Sequence, residues 1–178
     1  GHENMLHPLL AWASASCPVE TIATTDPLFL LYTSGSTDKP KGIVLGTGGY
    51  LTWASYTHEL VFEHQAGDVF WCTADIGWVT GHTYVVCGPL SNGGPALLFE
   101  GMPSHPKPGR WWAVIPAHTP TTFYTSPPSF RSLLRERNDV PRHFDLTSWR
   151  ALGTVGVPCS QAAVPWSQTV LRGVRWCV

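Results

Sequence analysis

The sequence predicts an α/β fold in which helices flank a mostly parallel sheet. Three observations predict it. Short, continuous apolar runs recur along the chain, at Leu28–Tyr32, Asp68–Cys72, Ala96–Phe99, Thr122–Tyr124 and Ala151–Gly156. Strands buried on both faces carry such runs instead of a strict alternation. Segments with helical spacing separate several of them, and that succession favours parallel strands joined by helices. Frequent punctuation, with Gly 17 and Pro 16, keeps every element short, and nine Trp supply a buried aromatic interior.

Each element has its own reason. Residues 1–25 form a weakly patterned lead-in. Leu28–Tyr32 follows Pro27 and predicts a strand buried on both faces. The polar stretch Thr33–Gly42 interrupts it, and Ile43–Leu45 resumes an extended pattern. From Gly48 to about Phe62, Tyr50, Leu51, Ala54, Thr57, His58, Val61 and Phe62 fall near helical spacing. Trp111–His118 reads as a helix weakened by Pro116. Pro127–Arg137 reads as a helix with proline at its opening and Phe130, Leu133 and Leu134 on one face. No internal repeat of about 20 to 50 residues is visible.

Composition bounds the function. The chain has 178 residues, enough for one domain or one and part of another. Apolar residues reach 43% and charged residues 13%, about half the ordinary charged share of about 25%. A disordered polyelectrolyte and a coiled coil are excluded. With Lys+Arg 11 against Asp+Glu 12 there is no polycationic surface for general nucleic-acid binding. No apolar run reaches about 18 residues, so no membrane span is predicted. No signal-peptide pattern opens the sequence. Five cysteines at wide spacing and without a Cys-x-x-Cys pair read as reduced, intracellular thiols. The cytoplasm is the favoured compartment, with the mitochondrial matrix open.

One segment carries chemistry. Tyr32-Thr33-Ser34-Gly35-Ser36-Thr37-Asp38-Lys39-Pro40-Lys41-Gly42 packs hydroxyls, glycines and two lysines directly after an apolar strand. Glycine lets the backbone approach a ligand, hydroxyl and N–H groups donate to phosphate oxygens, and lysines neutralise their charge. A polyphosphate fits such a segment; so does a surface turn made of common loop residues. The Walker pattern is absent, because Gly35 and Gly42 are too far apart and Ile43 follows the second glycine. His58-Glu59 opens a zinc-type pattern, but Phe62 stands where the second His is needed, so no metal site is expected. No Gly-x-Ser-x-Gly elbow exists for a serine hydrolase.

The same string resembles the phosphate loop of the acyl-adenylate-forming, AMP-binding superfamily, and within it the acetyl-CoA synthetases. The resemblance continues through Asp26-Pro27-Leu28-Phe29, Trp71–His82, Gly88-Pro89-Leu90, Phe99–Pro103, Phe123–Pro127 and Leu152–Gly156. It covers roughly residues 17 to 158. It implies an incomplete part of the large N-terminal domain of an adenylate-forming enzyme at 26–158, after a lead-in at 1–25 and before an unmatched tail at 159–178. It also implies ATP with Mg2+ and coenzyme A as co-substrates, and acetate as the acid activated to acetyl-AMP.

By that resemblance Thr33, Ser34, Gly35, Ser36, Thr37, Lys39 and Lys41 would hold the ATP phosphates. Gly156, Val157 and Pro158 would meet the nucleotide. Trp78, Val79, Thr80 and Val155 would wall the acyl pocket, and Thr80 and Ser104 would meet coenzyme A. On residue type alone, plain core packing is the favoured reading of Trp78 and Val79.

Departures accompany the match. Asp38 stands where the family has Gly, Leu45 where it has His, and Val157 where it has Glu. The aromatic-Thr-Glu motif, the ribose-binding Asp segment and the C-terminal adenylation Lys of the family have no counterpart in these residues. The chain alone is therefore expected to be inactive. Two alternatives remain: a non-catalytic truncated or splice-variant remnant with weak or no nucleotide binding, and part of a propionyl-CoA synthetase. Small-molecule substrates are the expected partners, with neither nucleic acid nor membrane. Association through surfaces left exposed by truncation is a further expectation.

Overall fold

A computed structural model describes residues 6–33, 39–135, 140–156, 165 and 174–177. The central element is a five-stranded sheet in the order β4-β3-β5-β6-β7. Its strands are β3 (Phe70–Cys72), β4 (Ala96–Leu97), β5 (Thr122–Thr125), β6 (Ala151–Thr154) and β7 (Arg175–Cys177). Every pairing in it is parallel. The predicted α/β class with a parallel sheet between helices is therefore the observed one.

Every residue of β3, β5 and β6 is buried, and that is why these strands read as uninterrupted runs. The register sorts the side chains by face. Leu97, Trp71, Phe123 and Leu152 are consecutive partners across four strands. They pack into a cluster with Trp111, Trp112 and Ile115 of α5 (Arg110–His118) and with Phe130 and Leu133 of α6 (Pro127–Leu134). Phe123 stacks on Trp149 at 4.9 Å and lies 4.7 Å from Trp71. Phe70, Cys72, Tyr124 and Ala151 belong to a second cluster with Phe62 and Val85. Here α2 (Thr47–Phe62) and the helical stretch 79–91 supply the cover.

That stretch comprises α3 (Val79–Gly81), a π-helical turn (His82–Cys87) and α4 (Gly88–Ser91). It was not predicted, because Gly81, Gly88 and Pro89 look like breakers. In the fold Gly88 is a contact point: a Cβ there would stand 2.9 Å from His58 Cβ, so its absence lets α4 approach α2. The helix α5 runs through Pro116 while Trp111, Trp112 and Ile115 anchor it. The lead-in contains α1 (Leu6–Trp12), and β7 was also unanticipated.

One expectation fails. Leu28–Tyr32 is not a strand buried on both faces. It lies in β1 (Pro27–Thr33), which pairs antiparallel with β2 (Lys41–Gly46) in a separate two-stranded sheet. A connection this short suits a hairpin, whereas a parallel pair needs a crossover of a dozen residues or more. Leu30 and Tyr32 are consequently 62% and 69% exposed. The hairpin docks through Phe29, whose ring lies 5.0 Å from Tyr50 and 4.8 Å from His82 in edge-on contacts. Thr47 adds two bonds to Asp26 O, from its N–H at 2.9 Å and its hydroxyl at 2.8 Å. Among the described residues no helix is long and apolar enough to cross a membrane.

Candidate functional site

Parallel α/β sheets bind ligands beyond the carboxyl ends of their strands. A cavity of about 440 Å³ opens there, at the ends of β3, β5 and β6. Three chain segments meet at it. The residues after β3 contribute Thr73, Asp75, Trp78 and Thr80; the end of β5 contributes Thr125 and Ser126; the residues after β6 contribute Val155 and Gly156.

Local bonding fixes each wall. The Asp75 carboxylate accepts the Gly77 N–H at 2.7 Å, and Asp75 O accepts the Trp78 N–H at 3.0 Å. This turn sends Trp78 to the mouth, where it is 72% exposed. Core packing is thereby excluded for Trp78, and Val79 is likewise 40% exposed. The Thr83 hydroxyl donates to Val79 O at 2.8 Å and bonds the Tyr50 hydroxyl at 2.6 Å, tying the start of α3 to α2. Burial pushes the Tyr50 phenol up, while the bond to Thr83 opposes that shift. Across the sheet, Thr73 and Thr125 share a hydroxyl–hydroxyl bond of 2.6 Å. Ser126 caps α6 by accepting the Ser129 N–H at 3.4 Å, and its hydroxyl donates to Ser129 Oγ at 3.0 Å.

The chemistry available is that of neutral hydroxyls, one carboxylate and an aromatic rim. Cys72 lines the cavity, but burial pushes its thiol up to about 12, so it supplies no thiolate at neutral pH. Among the described residues no three His, Cys, Asp or Glu stand together as a metal-binding group. A second cavity of about 750 Å³ lies on the β4 side, bounded by Leu98, Phe99, Glu100 and Gly101. Both cavities share the segment Cys72–Asp75 as a common wall.

The predicted residues divide into three groups. Trp78, Thr80, Val155 and Gly156 come together in the first cavity from two distant segments. Thr33, Lys39 and Lys41 belong to the hairpin region and Val79 to α3, while Ser104 is exposed in the segment after β4; none of these lines that cavity. Ser34, Gly35, Ser36, Thr37, Val157 and Pro158 lie outside the described residues. Sequence reading missed Thr73, Thr125, Ser126 and Ser129. The available signal was the strand-end position of Thr73, Thr125 and Ser126; Ser129 sits in the first turn of α6.

The fold is of the α/β class, with a hydroxyl-lined cavity at the carboxyl ends of its parallel strands. The chain belongs to the family of AMP-binding enzymes, whose profile matches residues 3–176. It is 54% identical over 158 residues to an acetyl-coenzyme A synthetase of Caulobacter vibrioides, covering 89% of this chain and 24% of that protein. With acetyl-coenzyme A synthetase 2 of Pseudomonas aeruginosa it shares 50% identity over 175 residues, which is 98% of this chain and 27% of the relative. With the acetyl-coenzyme A synthetase of Rhizobium meliloti the identity is 49% over 175 residues, again 98% of this chain and 27% of the relative. The chain thus spans about a quarter of the length of these curated relatives.

Proposed function

We propose that this chain is the phosphate-loop and acyl-pocket portion of an acetate–CoA ligase. The reaction in view joins acetate to the α-phosphate of ATP, releasing pyrophosphate. The thiol of coenzyme A then attacks the acetyl carbonyl and AMP leaves. The observation that carries the reading is the convergence of Trp78, Thr80, Val155 and Gly156 on one cavity at the strand ends. In this reading Val155 and the Trp78 ring bound a small apolar space beside the Thr80 hydroxyl, a setting suited to a two-carbon acid. Val79 stabilises that wall from behind through its carbonyl bond to Thr83.

The phosphate loop, Thr33 to Lys41, is assigned to the β- and γ-phosphates of ATP, which enters as its magnesium complex. Thr33 and Lys41 are the terminal partners of the β1–β2 ladder, so the segment between them starts and ends at one place. Gly156 would let the nucleotide approach the backbone: it adopts φ +98, and an added Cβ would meet nothing within 4 Å. Val157 and Pro158 are assigned to the nucleotide with it, and Ser104 with Thr80 would serve coenzyme A. In this division residues 26–158 hold every assigned site residue, while β7 of the 159–178 segment completes the central sheet.

The chain is expected to bind substrates without completing the reaction, since the family's aromatic-Thr-Glu, ribose-Asp and adenylation-Lys motifs are absent from its residues. Titration calorimetry with ATP and magnesium tests the reading, and micromolar affinity is the expected result. Asp38 among phosphate-binding groups and Val157 in place of a carboxylate favour a second reading, a remnant without nucleotide affinity. Absence of heat at millimolar ATP would establish that one instead. Production of acetyl-AMP from ATP and acetate at a normal enzymatic rate would overturn both.

A further inference from the structure

Between the end of β4 and the start of α5 the chain crosses twelve positions, 98–109, without a helix or strand. Its first residues, Leu98 to Gly101, wall the larger cavity, and Ser104 follows shortly after. Residues 104–108 are all exposed, so apolar burial does little to hold them. Arg110, the first residue of α5, reaches back to two points of the loop. Its Nη2 donates to Glu100 O at 2.9 Å, and its Nη1 donates to His105 O at 2.9 Å. The same guanidinium lies 5.0 Å from the centre of the Phe99 ring, which in turn packs on Trp71 and Trp111. Gly101 adopts φ +118, and a Cβ there would stand 3.0 Å from Arg110 Nη2. The loop backbone and the guanidinium are therefore fitted to each other.

We infer that Arg110 is a positioning residue: it clamps the 100–105 loop in a single geometry and so sets the wall of the larger cavity and the presentation of Ser104 to the thiol co-substrate. The inference about the co-substrate rests on the proposed function; the inference about the loop does not. Two carbonyl oxygens five residues apart are bridged by one planar group with fixed donors, while its face covers an aromatic ring. A lysine ammonium has neither the fork nor the flat face, so Arg110→Lys retains the charge and loses the clamp.

The test uses the whole chain and two variants, Arg110→Lys and Arg110→Met. Amide hydrogen exchange by mass spectrometry over residues 99–109 is expected to quicken at least about tenfold in both, with the β3, β5 and β6 peptides unchanged. In calorimetry, affinity for coenzyme A is expected to fall about tenfold while affinity for ATP with magnesium holds, a split that general destabilisation does not produce. Unchanged loop exchange in Arg110→Lys overturns the inference. So does unchanged coenzyme A affinity in a variant of a chain that binds it. If the unsubstituted chain binds no coenzyme A, the functional reading fails and the exchange result alone decides the clamp. Should Arg110→Met not fold, the lysine variant decides both.

Discussion

His58 makes folding stability depend on pH in a way the surrounding bonds define. The ring is fully buried on α2. Asn92 Nδ2 donates to His58 Nδ1 at 2.9 Å and to Ser55 O at 2.9 Å, while Asn92 Oδ1 accepts the Ser55 hydroxyl at 2.6 Å. The Asn92 amide is therefore fixed, and Nδ1 must be an acceptor. A proton added there would face an N–H, and turning the amide would break both bonds to Ser55. The neighbouring ring of His64 lies 4.6 Å away, with Asp68 next to it and paired to Arg150. Burial chiefly, and His64 secondarily, lower the His58 pKa from 6.5 to about 4, against the opposing charge of Asp68. Because the folded value is the lower one, the unfolded chain binds more protons between the two. Stability is fully present above pH 6.5 and is lost as pH falls toward 4. At about 1.36 kcal/mol per unit, the loss is about 2 kcal/mol by pH 5 and about 3 kcal/mol at pH 4. The assay is urea denaturation at pH 7 and pH 5 for the chain and for His58→Gln. The variant should be less stable at pH 7 but keep most of that stability at pH 5. An equal drop in both proteins would refute the reasoning, since the variant removes only this titration.

Three further outcomes follow from the packing. Gly153→Ala places a Cβ 2.7 Å from the Tyr124 ring and 3.0 Å from the Phe62 ring. Overpacking of that kind should cost about 1–3 kcal/mol, read as a lower urea midpoint. Trp78→Ala removes a side chain that is 72% exposed, so thermal stability should change by no more than about 0.5 kcal/mol. Acetyl-AMP affinity should fall at the same time, and a large stability loss would return Trp78 to the core. Iodoacetamide at pH 8 should label exposed Cys17 and spare buried Cys72, as peptide mass spectrometry would report.

The main sheet was legible because both of its faces are covered. Phe70-Trp71-Cys72 and Phe123-Tyr124 could be read from local sequence because each of these residues packs into one of the two clusters beneath the helices. Leu28–Tyr32 has the same local character, yet its cover differs. Apolarity reports what a strand prefers, not what the fold places over it, and here a hairpin partner took the place of a second layer. The 79–91 stretch was illegible for a related reason. Its glycines serve close approach between elements far apart in sequence, and no local rule distinguishes that from a turn. In the site, the position rule found the right strand ends, and the resemblance singled out Trp78, Thr80, Val155 and Gly156. The hydroxyls of Thr73 and Thr125 escaped notice because their meaning depends on the register that puts neighbouring strand ends side by side.

The Cys72–Asp75 strip, which borders both cavities, has a practical consequence for anyone reshaping this molecule. Altering it remodels two chambers with one stroke, so a changed ligand preference from Thr73 would be unattributable to either room. Val155 and Ser129 face only the smaller chamber, and Leu98 and Phe99 only the larger. Enlarging the smaller chamber from the first pair, and tuning its neighbour from the second, keeps the two experiments independent.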